Sequence, residues 1–322
     1  MPPVGVRRGR ADAQPRAAGA SVTRLLCVGE IMVEMAPADG GLFSMGFAGD
    51  TFNTAWYARR VLPDDVGVGY LTAVGTDAVS DRMVDFIAAQ GVDASAVRRV
   101  EDRTVGLYMI QLQDGERSFS YWRGQSAAKT LADDEAALDA AFAEASVIQF
   151  SGITLAILSD EARARFCAAL SRARANGAHV AFDTNLRPRL WAGPQAMRDG
   201  LLQGASVADT VLPSFDEEQM CFGDATPAET IDRYRNAGAR TVVVKNGAER
   251  CHIWDADEGK ATHDPAPVAK VVDSTAAGDS FGAGFLAARM TGASVLEATK
   301  QGAALAGKVV QKRGALAPDI FE

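Results

Sequence analysis

Between residues 146 and 222 short apolar runs alternate with stretches of helical period, and this alternation limits the folds open to the chain. Residues 146–150, 179–183 and 209–213 read as strands, and 155–176, ending at Gly177, 194–204 and 216–222 read as helices. Strands separated by helices pair in parallel, because the crossover carries each one back to the same end of the sheet. The expectation is an α/β fold with a doubly wound, mainly parallel sheet flanked by helices, its ligands lying at the carboxyl ends of the strands. A strand over 66–74 and a helix over 77–90, ending at Gly91, extend the rhythm toward the N-terminus.

The rhythm breaks at TVGLYMIQL (104–112) and RSFSYWR (117–123), which alternate with period two around a short Asp-Gly-Glu turn, a hairpin signal. These strands must leave the parallel sheet. Residues 25–36 start as a buried strand, break at Gly29-Glu30 with Glu30 at the strand's edge, and resume with alternating Met32, Glu34 and Ala36. Together the segments predict a small β-sheet lid drawn from about 31–47 and 104–124. Tyr108, Tyr121 and Arg123 would point from one lid face toward a ligand; the alternative is a cross-strand aromatic pair that only stabilises the hairpin.

Composition removes several function classes. A net charge of −8 argues against nucleic acid, whose phosphates demand clustered Lys and Arg, and no apolar run approaches the ~20 residues needed to span a bilayer. Residues 1–24 differ, with five arginines against one acid, Asp12, and read as a disordered basic tail preceding one domain over 25–322. Cys27, Cys167, Cys221 and Cys251 are widely spaced and the three histidines do not cluster, which predicts reduced cytoplasmic thiols without zinc or a disulfide framework.

The chemistry is expected at VVDSTAAGDSFGAGFL (271–286). Val271 and Val272 read as the end of a buried strand, Ala276, Ala277 and Gly278 as a turn that lets backbone approach a ligand, and Asp279 as the opening of a helix. Unpartnered N–H groups and the positive end of the dipole make such a helix start an anion site. A carboxylate on the same turn would repel a phosphate unless it acted as a base or held a cation, which suggests phosphoryl transfer to a hydroxyl. Asp273 or Asp279 capping a helix is the alternative.

This string resembles the C-terminal signature of the PfkB, or ribokinase-like, carbohydrate kinases. The resemblance implies a ribokinase-like fold, ATP and Mg2+ as cofactors, Asp279 as the base that deprotonates the acceptor hydroxyl, and Ala276, Ala277 and Gly278 as the anion hole for the ATP phosphate. FAGDTFNTAWYARRVL (47–62) is similar to the family's sugar-binding Gly-Gly-x-x-x-Asn segment, with Ala48 in place of the first glycine, and implies sugar contacts at Gly49, Asp50 and Asn53. Read alone, Asp50 or Thr51 would cap a helix.

Further polar clusters fall at strand ends. In DTNLRPRLW (183–191), Asp183 and Asn185 leave a strand toward ATP and Arg187 is aimed at a carboxylate. PSFDEE (213–218) is similar to the family's Asn-x-x-Glu, with Ser214 replacing the Asn on the ATP side and Glu217 organising Mg2+ through water. VVVKNGAER (242–250) resembles the ATP loop, with Lys245 toward phosphate and Gly247 giving room; a surface turn is the alternative. Gly302, Gly307 and Lys308 imitate a P-loop, but Val309 stands where Ser or Thr is required and the segment lies within an Ala-rich helix, so Ala303 is expected instead to wall the adenine pocket.

GLYMIQL, ERSFSYWR, SGITLAIL, DTNLRPRLW and KRGAL narrow the resemblance to family members acting on a sugar acid. It implies transfer from ATP to the 6-hydroxyl of 2-dehydro-3-deoxy-D-gluconate, with Gly49, Tyr108, Tyr121, Arg123, Arg187 and Asp279 contacting the substrate. The alternatives are a fructokinase- or ribokinase-type enzyme and a sugar- and nucleotide-binding regulator without catalysis. A strand lid leaves an exposed edge, which pairing in a homo-oligomer would cover.

Overall fold

The computed structural model describes residues 24–113 and 116–322, and side chains other than those of 112–117. The expected basic tail, apart from Arg24, and the Asp-Gly of the hairpin turn lie outside the described residues. Arg24 itself opens the first strand and pairs with Asp93 and Glu144 at 3.0 and 2.8 Å.

In chain order the first half comprises β1 (Arg24–Val28), β2 (Met32–Pro37), β3 (Phe43–Ala48), α1 (Asp50–Val61), β4 (Gly67–Val74), α2 (Ala78–Ala89), β5 (Val97–Arg99), β6 (Leu107–Gln113), β7 (Glu116–Trp122) and α3 (Glu135–Ala143). The second half comprises β8 (Val147–Ser151), α4 (Gly152–Ile157), α5 (Asp160–Ala175), β9 (His179–Asp183), α6 (Pro194–Ser206), β10 (Thr210–Val211), α7 (Phe215–Phe222), α8 (Pro227–Ala237), β11 (Thr241–Val244), β12 (Cys251–Asp255), β13 (Gly259–His263), α9 (Ala277–Met290) and α10 (Val295–Val309).

Nine strands form the large sheet in the order β13-β12-β11-β10-β9-β8-β1-β4-β5, parallel except where β12 and β13 return antiparallel. The chain winds from β1 outward to β4 and β5, then resumes at β8 on the other side of β1. The strand order therefore reverses between β1 and β8, the place where doubly wound sheets open a crevice. Alternation sorts the core into two layers. Leu25 and Cys27 of β1 belong to the layer that includes α1, α9 and α10, whereas Leu26 and Val28 belong to the layer of α3, α5 and α6.

The lid is a separate sheet ordered β3-β2-β6-β7, with the β6–β7 hairpin as expected and β3 supplying one edge. Tyr108 stands opposite Tyr121, so both occupy one face, their rings 6.0 Å apart.

Three local readings need correction. The expected helix over 155–176 is two helices, because Leu158 is extended and Ser159 starts a new helix by accepting from Ala162 N. Asp50 is the first residue of α1 and not its cap; Gly49 holds the cap position without a side-chain bond. Val271 and Val272 are no buried strand. They are 60% and 42% exposed in a segment that joins no sheet, with Val272 N donating to Val310 O at 2.8 Å.

Candidate active site

The N-termini of α1 and α9 meet beside the strand-order reversal. Thr54 joins them, its hydroxyl lying 3.2 Å from the Asp50 carbonyl oxygen and 3.3 Å from that of Asp279. Asp279 is the third residue of α9 and 9% exposed, and Asn53 Nδ2 donates to its Oδ2 at 2.8 Å. Burial pushes the Asp279 carboxyl well above the usual carboxylate range, and the negative charge of Asp50 pushes it further; Asn53 and Arg187 oppose the shift. Asp50 is itself raised by burial, although the Ser151 hydroxyl, a backbone amide and Arg187 favour its charge.

Ala276 precedes α9 in the left-handed region, φ 61°, and no side chain caps the helix. Among the described residues the non-glycine positions with positive φ are Ala276 and Asn185. Both belong to this site, where strained backbone commonly concentrates. Asn185 Nδ2 donates to Asp50 Oδ2 at 2.8 Å, tying the loop after β9 to the start of α1.

Lys245 and Asp183 pair at 3.2 Å, both buried. A Cβ added to Gly278 would sit 3.4 Å from Lys245 Nζ and 3.8 Å from Asp183 Oδ2, so this ammonium lies against the uncapped end of α9. Ser214 holds the cap position before α7, without a side-chain bond, and bridges in parallel to Lys245, and Phe215 N donates to the Lys245 carbonyl at 2.8 Å. Glu217 accepts from Arg187 Nη1 and from Leu186 N, each at 3.0 Å, while burial raises its proton affinity. Its carboxylate is a hard oxygen donor within electrostatic reach of the Lys245 ammonium, of the chemical kind Mg2+ takes: that ion retains several waters and binds one or two carboxylates beside phosphate. No group of three or more His, Cys, Asp and Glu ligands occurs among the described residues.

Arg187 is half exposed and also reaches its neighbour's carbonyl, Leu186 O, at 2.6 Å. Arg123 is nearly buried and pairs with Glu30, which is 2% exposed. Tyr108 donates to Glu34 and lies within electrostatic reach of Asp279, so the lid face and the start of α9 share one environment. Tyr121, on the same lid face, is 52% exposed. Gly247 turns with φ 56° into open space, and Ala303 is half-buried on α10 beside Gly302, the position where α10 touches Phe281. The P-loop-like residues thus lie within a helix, as expected. Gly49 has a packing reason of its own, since a Cβ there would lie 2.1 Å from the Glu30 carbonyl oxygen.

Sequence reasoning passed over Thr54, Glu34 and the ionic role of Glu30. Period-two alternation in β2 was the available signal for Glu34; nothing in the order of residues pairs Glu30 with Arg123. The arrangement can hold a hydroxyl at a buried, proton-avid carboxylate while helix amides and an ammonium face an anion beside it.

The profile of the pfkB family carbohydrate kinases matches residues 22–320. A 2-dehydro-3-deoxygluconokinase of Escherichia coli (strain K12) is 42% identical over 302 residues, covering 92% of this chain and 97% of that protein. Among solved structures, a PfkB protein from Polaromonas sp. JS666 superposes with a TM-score of 0.81 at 30% identity, covering 93% and 98% of the two chains. A fructokinase with bound ATP from Xylella fastidiosa gives 0.79 at 25% identity, covering 91% and 93%.

Proposed function

The chain belongs to the pfkB family of carbohydrate kinases, and from that premise we propose that it transfers the γ-phosphoryl group of ATP to the 6-hydroxyl of 2-dehydro-3-deoxy-D-gluconate, yielding the 6-phosphate and ADP. The observation that carries the chemistry is Asp279, buried at the start of α9 and oriented by Asn53 at 2.8 Å. Its oxygen takes the hydroxyl proton as the sugar oxygen bonds to phosphorus, and the bond from phosphorus to the ADP oxygen breaks. The amides of Ala276 and Gly278 stabilise the charge on the group in transit, and Lys245 adds a positive charge; the Ala277 amide, expected as a third donor, is engaged by the Ser274 carbonyl oxygen at 3.1 Å.

Gly49, Asp50 and Asn53 line the sugar side, with Asp50 held by Asn185. Tyr108, Tyr121, Arg123 and Arg187 receive the acid sugar, and the arginines are the groups suited to its carboxylate. Asp183, Asn185, Ser214, Lys245, Gly247 and Ala303 form the nucleotide side. Glu217 is the residue that would hold Mg2+, through water, and the ion would supply positive charge against the phosphates. No described helix is long and apolar enough to cross a membrane, and the buried free cysteines fit a reducing cytoplasmic setting.

A substrate panel tests the reading. With ATP and Mg2+ the protein should phosphorylate 2-dehydro-3-deoxy-D-gluconate in preference to fructose or ribose. Arg187→Ala should lower kcat/KM for the acid by roughly 30-fold or more while barely changing any neutral-sugar turnover. Equal losses on acid and neutral sugars would remove Arg187 from carboxylate recognition.

A further inference from the structure

Four stretches of chain cross between the large sheet and the lid, and all four converge on Glu30. The first is Gly29–Ile31 itself, between β1 and β2. The second runs from β3 into α1 through Gly49, where a Cβ would stand 2.1 Å from the Glu30 carbonyl oxygen and 3.1 Å from Ile31 Cα. The third enters β6 through Gly106, whose Cβ would stand 2.9 Å from Glu30 Oε1. The fourth leaves β7 through Arg123, whose Nη2 donates to Glu30 Oε2. Two glycines at close approach and one ion pair therefore index every lid connection to a single residue.

The stability of a buried ion pair is a poor reason for its presence. Removing two charges from water costs several kcal/mol per ion before their attraction returns it, and apolar residues of similar volume often do as well. Glu30 bears that cost with 2% exposure, and the Arg123 side chain is only 13% exposed. Burial raises the proton affinity of the Glu30 carboxyl, and Arg123 and then the Ser126 hydroxyl, three residues beyond it, oppose that shift by favouring the charge. What the pair does supply is orientation: a guanidinium is planar and carries five donors, so a carboxylate on one edge fixes the direction of the others.

We propose that Glu30 is a positioning residue whose carboxylate fixes the plane of the Arg123 guanidinium and seats the lid strand bearing Tyr108, and thereby sets selectivity for a sugar acid. This deepens the function proposed above and rests on Arg123 meeting the substrate carboxylate. Glu30 acts through Arg123, so removing its charge should damage sugar binding and leave the nucleotide side alone.

Wild type, Glu30→Gln, Arg123→Gln and the double variant are compared with ATP and 2-dehydro-3-deoxy-D-gluconate. Glu30→Gln keeps the size and one acceptor; it should raise the sugar-acid KM about tenfold or more with the ATP KM within about twofold. The double variant should be no worse than Arg123→Gln alone, because coupled residues are not additive. A wild-type sugar-acid KM in Glu30→Gln, an equal rise in the ATP KM, or multiplying losses in the double variant would each overturn the proposal.

Hydrogen exchange without sugar supplies a readout independent of the substrate. Glu30→Gln should exchange faster across 107–111 and 118–122 with α9 unchanged, and an unaltered lid would overturn the seating. If Glu30→Gln does not fold, the double variant, which buries neither charge, should be soluble; an insoluble double variant also overturns the pairing. Failure of the function reading looks different, since wild type would then not turn over the sugar acid while the exchange comparison still decides whether Glu30 seats the lid.

Discussion

As the proposed base, Asp279 carries opposite demands from catalysis and from folding. Its neutral form is favoured by burial and by Asp50, and its ionised form is the one able to take a proton. Asp279→Asn should lower kcat by roughly 10²- to 10⁴-fold with little change in ATP affinity, and near-normal turnover would remove it as the base. The same substitution should stabilise the fold. A carboxyl whose proton affinity rises on folding contributes stability that is present below its unfolded pKa and lost as pH rises through the folded one. Asp279→Asn should therefore gain about 0.5–2 kcal/mol in urea unfolding at pH 7 and nothing near pH 3. For the same reason the acid limb of wild-type kcat/KM should lie above the ordinary carboxylate range near ~4. This residue was legible in the chain because a Gly-Asp step in a small-residue run has few other uses. Glu30 was not, since its role comes from segments about 20, 75 and 95 residues away folding onto it, a relation that no local period encodes.

At the scale of elements, the sequence tells most where burial is periodic and least where the chain follows no ladder. The parallel strands and the β6–β7 hairpin are written in apolar alternation. Val271 and Val272 look like strand residues by composition, yet they lie in a connection after β13 that joins no sheet, where Val272 N and Asp273 N both turn to the Val310 carbonyl oxygen. The start of α9 is set by Ala276 at positive φ, a conformation that the identity of alanine does not announce. Packing of α9 on α10 depends on Gly302, where a Cβ would lie 2.7 Å from the Phe281 carbonyl oxygen. Helix propensity alone would favour alanine by about 1 kcal/mol. The close atom is backbone and cannot swing aside, so Gly302→Ala should instead destabilise by a net of roughly 1–3 kcal/mol in denaturant unfolding. A neutral or stabilising result would mean that the two helices separate at little cost.

Across the whole molecule the lid is the surface with an unmet need. Its edges are β3 and β7, and Leu42, Phe43, Phe119 and Trp122 are at least 40% exposed on or beside them. Covering such edges favours association of copies of the chain. Light scattering should return a mass above that of one chain, and Phe43→Lys with Trp122→Lys should lower it; a monomeric wild type would exclude this use of the lid. The convergence of four crossings at Glu30 has a mechanical consequence as well. β6 and β7 extend seven residues each from that neck, about 23 Å at roughly 3.3 Å per residue. With the fulcrum at Glu30, a tilt of about 10° would sweep the hairpin tip through about 4 Å yet shift Tyr108, two residues from Gly106, by only about 1 Å. Arg123, at the fulcrum, would hardly travel. Tyr108 and Arg123 thus sit on the short arm of this lever, where any given tilt of the lid displaces them least.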